Sequence, residues 1–114
     1  MINPEYDPML STIIVGITKL FKEAETNNLS VNQFAAKVWL GTILGVVPEK
    51  TLASILFEKA TSVSPEESYK MIDKLALDSV LGKKEAIERA LSLIMEGLEI
   101  LNRESIMRNI CDKN

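Results

Sequence analysis

The sequence predicts an all-α fold: a bundle of about five helices with a long C-terminal helix, in a single helical domain over residues 1–114. Three observations support this class. Apolar residues recur at spacings of three and four along most of the chain. Prolines and glycines fall between these apolar segments, where helices begin and end. The chain after Gly82 contains no proline, which favours one long final helix.

The first two helices are predicted from their caps. Asp7-Pro8 is a cap residue followed by a first-turn proline, and the helix that it opens is expected to run to about Thr26. Ser30 and Gln33 have the spacing of a capping box, so a second helix is expected to begin there. Gly45 stands where a left-handed C-terminal cap would end it.

The second helix carries apolar residues around most of its circumference. Its stretch 38-VWLGTILGVV-47 is β-branched enough for a buried strand, but a single strand would have no pairing partner among the other segments. A helix that is apolar all round is buried, so we interpret this segment as the central helix of the domain. Trp39 is then expected to be a core residue.

Three further helices complete the predicted bundle. Pro48-Glu49 opens the third helix, and Ser64 to Glu67 combines a capping box with a first-turn proline to open the fourth. Gly82 is expected to end the fourth helix, and the fifth runs from residue 83 or 84 toward Asn109. The apolar stripe of the fourth helix is predicted at Tyr69, Ile72, Leu75, Ala76 and Val80.

The fifth helix predicts self-association. It carries two parallel apolar stripes, one of them with the small residues Ala86, Ala90 and Gly97, and two stripes need two neighbours. A helix of about 26 residues is about 39 Å long, more than the diameter of about 34 Å of a compact chain of this length. We therefore expect a two-fold homodimer. The predicted interface residues are Leu91, Ile94, Leu98, Leu101, Ile106, Met107 and Ile110.

An alternative arrangement needs no partner. Asn102 and Ser105 are weak helix formers, so the chain could bend between them. Residues 106–111 would then fold back onto the core of the same chain. The sequence leaves both arrangements open.

Composition bounds the location and the partners. Thirteen Lys and Arg against sixteen Asp and Glu give a net charge of −3, and no basic cluster is present, so nucleic acid is not an expected partner. The single cysteine, Cys111, excludes an intramolecular disulfide and favours an intracellular protein. No signal peptide or uncharged run of about 20 residues is visible. We expect a soluble, cytoplasmic protein that does not enter a membrane.

The sequence offers no apparatus for catalysis. Histidine is absent, and with it the commonest general base and metal ligand. Two carboxylate pairs, Glu85 with Glu88 and Glu96 with Glu99, have the spacing used in metal-binding bundles, but those bundles also need histidine. The glycines stand alone, with none of the spacing of a phosphate-binding loop. We predict no catalytic residue, no metal, no cofactor and no enzyme.

Residues 30–60 indicate a second candidate function. The stretch 30-SVNQFAAK-37 resembles the first helix of a helix-turn-helix module, and 45-GVVPEKTLASIL-56 resembles its turn and second helix. The second helix of this module carries equal numbers of acidic and basic residues, and it has no arginine to bind guanine. The alternative function is therefore a DNA-binding transcriptional regulator. The favoured one is a non-catalytic interaction module, such as an adaptor, an assembly subunit or a regulator, with a further protein partner possible.

Overall fold

Five α-helices follow one another through the chain. The computed structural model describes the backbone of residues 8–112 and the side chains of residues 11–104. The helices are α1 (Pro8–Thr26), α2 (Val31–Ile43), α3 (Val47–Thr61), α4 (Pro65–Val80) and α5 (Lys84–Asp112), and this part of the chain contains no strand. The predicted all-α bundle of five helices is confirmed.

Local chemistry sets the helix ends where the sequence predicts them. The Gln33 amide donates to the Ser30 hydroxyl at 3.2 Å, and the Ser30 amide donates to the Gln33 side chain at 2.9 Å, completing the capping box. Gly45 and Gly82 take φ values of +80° and +83°, in the left-handed region that glycine adopts without steric cost. Ser64 caps α4 by accepting from the Glu67 amide alone, so only half of its predicted box is formed.

The central helix is α3 and not α2. It packs against each of the other four helices, and Leu56 and Phe57 have no exposed surface. In α2 the prediction of all-round burial is wrong, because Leu40 is 58% exposed. Trp39 does lie in the core, stacked on Phe57 at 6.0 Å between ring centroids, with its indole nitrogen donating to Ser79 of α4.

The buried face of α4 is rotated from the predicted stripe. Ile72 is buried as expected, but Tyr69 and Val80 are exposed. Ser68 and Ser79 occupy the buried positions instead. Each of the two serines donates a hydrogen bond to a carbonyl oxygen one turn earlier in its own helix. The buried hydroxyl hydrogen therefore has an acceptor.

Both stripes of α5 meet neighbours within the same chain. Ala86, Ala90 and Leu93 are buried, and Gly97 lies against the backbone of Leu56 in α3. The helix also packs against α4 and α2. Its small residues therefore admit the backbone of α3, and they do not by themselves require a second subunit.

The last helix is longer than the bundle is wide. It has 29 residues, a length of about 43 Å, against a molecular cross-section of 30 × 30 Å. The backbone is helical without a break from residue 102 to residue 105, so the chain does not bend there as the alternative arrangement requires.

Candidate functional site

An open groove runs beside the C-terminal half of α5. We call it the α5 groove, and its volume is about 1120 Å³. The α5 wall presents Met95, Leu98 and Leu101. The opposite wall comes from the end of α1 and the start of α2, with Phe21, Ala24, Leu29, Val31 and Phe34.

The α5 groove exists because α1 packs on α3 and leaves the space beside α5 unfilled. Phe21 of α1 stacks on Phe34 of α2 with ring centroids 5.4 Å apart, which fixes the far wall. Phe34 is buried at the base, whereas Phe21 is 40% and Val31 58% exposed. Large apolar side chains thus remain in contact with water along a concave surface, as at sites that take an apolar helix or peptide.

The polar lining of the groove is acidic. Its charged residues are Glu25, Glu96 and Glu99, and no lysine or arginine is among the described residues that line it. Glu99 is paired with Arg103, 3.2 Å away on the next turn of α5. Glu25 and Glu96 have no ion pair within the described part of the chain. The groove therefore favours an apolar ligand that carries positive charge.

The predicted interface residues divide into three groups. Ile94 has no exposed surface and belongs to the core of its own chain. Leu91, Leu98 and Leu101 are partly buried against that core, and the last two also line the α5 groove. Ile106, Met107 and Ile110 lie outside the residues whose side chains the structure describes. The interface therefore stays a prediction, and Ile94 has no surface to offer it.

The sequence did not reveal the far wall of the groove. Phe21 and Val31 were not among the predicted interface residues, yet both are exposed there. Val31 directly follows the cap residue Ser30 and Phe21 lies within α1, but their position relative to α5 depends on how α1 packs on α3. No local signal reports that packing.

A second apolar surface lies at the α2–α3 turn and the end of α4. Trp39 in α2 bonds to Ser79 in α4, and Lys50 in α3 pairs with Asp73 in α4, so the turn and the end of α4 lie side by side. We call their exposed residues the turn-end patch: Leu40, Leu44, Val46, Val47, Leu77, Val80 and Leu81. An exposed cluster of this kind is typical of an interaction surface.

The carboxyl groups with displaced pKa values lie outside the α5 groove. Glu23 and Lys37 form an ion pair at 2.6 Å, and the hydrogen bond from Lys37 lowers the pKa of Glu23. Burial raises the pKa of Glu49, which packs across Gly41. Neither residue lines the groove, so the concave surface and the displaced acids do not combine into an acid–base site.

The described residues hold no group of three or more cysteine and acidic side chains placed to bind a metal ion. No single described helix is long and apolar enough to cross a membrane, although α2 and α3 pass that test together as a pair bent by 117°.

Comparison of the chain with protein-family models, with curated proteins and with solved structures found no match.

Proposed function

We propose that this chain is a non-catalytic protein–protein interaction module that self-associates through the C-terminal half of α5. The observation that carries the proposal is the α5 groove, which is lined by Leu98 and Leu101 on one wall and by the exposed side chains of Phe21 and Val31 on the other. A monomer that exposes such a surface gains by covering it, at about 25 cal/mol for each Å² removed from water. The proposed location is the cytoplasm, because a single cysteine leaves no intramolecular disulfide to form.

The turn-end patch supports the same class of function. It gathers seven large aliphatic residues at one place on the described surface, and none of them is needed to fill the core. Adaptors and assembly subunits expose apolar surface in this way. A chain with two such surfaces is suited to binding a copy of itself at one of them and a different protein at the other.

Light scattering of the full chain tests self-association. The proposal predicts a mass of twice 12.7 kDa at high protein concentration, falling toward 12.7 kDa on dilution. A mass of 12.7 kDa at every concentration would contradict it. Co-purification from the native cell then identifies any further protein partner.

DNA binding remains the second candidate because one observation favours it. The axes of α2 and α3 differ by 117° across a three-residue turn that contains Gly45, which is the geometry of a helix-turn-helix module. However, α3 is enclosed by four helices, and Lys59, one of its two lysines, is paired with Glu104 at 2.9 Å. We expect no mobility shift of duplex DNA at low salt, whereas retention that weakens steeply with salt would favour this function.

A further inference from the structure

We infer that the occupant of the α5 groove is the C-terminal segment of a second copy of the chain, residues 105–112, inserted reciprocally in a two-fold dimer. The inference rests on the proposed function and names the surface and the segment that perform it. Each chain would supply one groove and one segment, so both copies would use the same surfaces and the assembly would close at two.

The segment is short enough to lie within the groove. The groove is lined by α5 from Ser92 to Asn102, and the helix then continues for ten residues to Asp112. The stretches 95–102 and 105–112 contain the same number of residues and are each about 12 Å long. A two-fold axis that crosses α5 between residues 103 and 104 places each segment beside the groove of the other copy, with the two helices antiparallel.

The chemistry of the segment matches that of the groove. Residues 105–112 contribute Ile106, Met107 and Ile110 as apolar groups, Arg108 as a cation in the middle and Asp112 as an anion at the end. In the antiparallel arrangement, Ile106 stands level with Leu101 of the second copy and Arg108 stands level with Glu99. The apolar wall thus receives apolar residues, and the one cation of the segment stands within the acidic lining, while Asp112 stands level with Met95.

The arrangement also sets the position of the single cysteine. Cys111 stands level with residue 96 of the second copy, while the two native Cys111 residues lie about 22 Å apart along the helices. A parallel pairing of α5 would instead bring the two Cys111 residues together. Disulfide formation therefore reports the direction and the register of the pairing.

The test is oxidation of full-length Glu96→Cys with oxidised glutathione, followed by non-reducing electrophoresis. The matched control is Glu85→Cys, which replaces an equally exposed glutamate near the start of the same helix. Reciprocal insertion predicts a covalent dimer from Glu96→Cys, at least tenfold more than from Glu85→Cys or from the parent chain.

The outcomes distinguish a failure of the inserted segment from a failure of self-association. A dimer by light scattering whose Glu96→Cys form gives no more cross-link than the control overturns the inserted segment and leaves the proposed function standing. A parent chain that cross-links efficiently through Cys111 alone shows a parallel pairing, which also overturns it. A monomeric parent overturns both.

Discussion

Gly97 of α5 lies directly on the backbone of Leu56 in α3. A β-carbon at position 97 would stand 2.8 Å from both the carbonyl carbon and the α-carbon of Leu56, closer than real β-carbons approach other atoms. Backbone atoms in the middle of a central helix have no rotamer by which to move aside. This contact therefore sets how closely the longest helix approaches the most buried one.

Gly97→Ala should destabilise the fold by about 1–3 kcal/mol, the usual cost of overpacking a core. Helix propensity alone predicts the opposite sign, a gain of about 0.5–1 kcal/mol for the same change. The matched control is Arg89→Ala, an exposed residue of α5 outside the groove, which should stay within about 0.5 kcal/mol of the parent. Urea denaturation followed by circular dichroism measures both. A more stable Gly97→Ala variant would contradict the contact.

The paired hydroxyls of Ser54 and Ser68 predict an asymmetry between two similar variants. Their oxygens are 2.6 Å apart in the core, and Ser68 donates to the Pro65 carbonyl at 2.7 Å. Because a hydroxyl has one hydrogen, the Ser54 hydroxyl is the donor between the pair. Ser68→Ala leaves that buried donor without its acceptor and should cost about 1–3 kcal/mol.

Ser54→Ala should cost less, because Ser68 keeps its bond to Pro65. The double variant should cost less than the sum of the single variants, since no orphaned hydroxyl remains. Free energies of unfolding for the three variants form a double-mutant cycle. Equal costs for the two single changes, with strict additivity, would show that the donor assignment is wrong.

Two glutamates should respond to pH with opposite signs. Burial raises the pKa of Glu49, so its ionised form is disfavoured in the folded state. A raised carboxyl pKa gives a contribution that is fully present below the unfolded pKa and is lost as the pH rises through the folded pKa. Glu49→Gln should therefore match the parent at acid pH and exceed its stability at neutral pH.

Glu23→Gln is the matched comparison. The hydrogen bond from Lys37 lowers the pKa of Glu23, so its contribution is present above the unfolded pKa and is lost as the pH falls through the folded pKa. This variant should be less stable than the parent at neutral pH and converge with it in acid. Thermal melts across the acid-to-neutral range measure both variants. If the stability of both variants, relative to the parent, changed with pH in the same direction, the assigned pKa shifts would be wrong.

Helix boundaries were predictable because local chemistry determines them. Ser30, Gly45 and Gly82 act through hydrogen bonds and backbone angles within a few residues of their own positions. The rotation of α4 was not predictable in the same way. Ser79, and not Val80, lies in the core, where it accepts a hydrogen bond from Trp39, forty positions away in the chain. No helical periodicity within α4 contains that information.

The candidate site was predicted on one side only. The apolar spacing along α5 identified Leu98 and Leu101, which line the groove. The same spacing included Ile94, because it does not distinguish a stripe that meets α3 of the same chain from a stripe that meets a partner. The far wall, with Phe21 and Val31, forms only when α1 packs on α3. It is a property of the tertiary structure.

Self-association through the α5 groove can be tested with a pair of valine variants. Val31 lies in the groove and is 58% exposed, whereas Val80 lies in the turn-end patch and is 67% exposed, so neither change to aspartate empties the core. Light scattering should give a dimer for the parent and for Val80→Asp, and a monomer of 12.7 kDa with full helical content for Val31→Asp. A Val31→Asp chain that keeps the mass of the parent, or a parent that is itself monomeric, would show that the α5 groove does not mediate self-association.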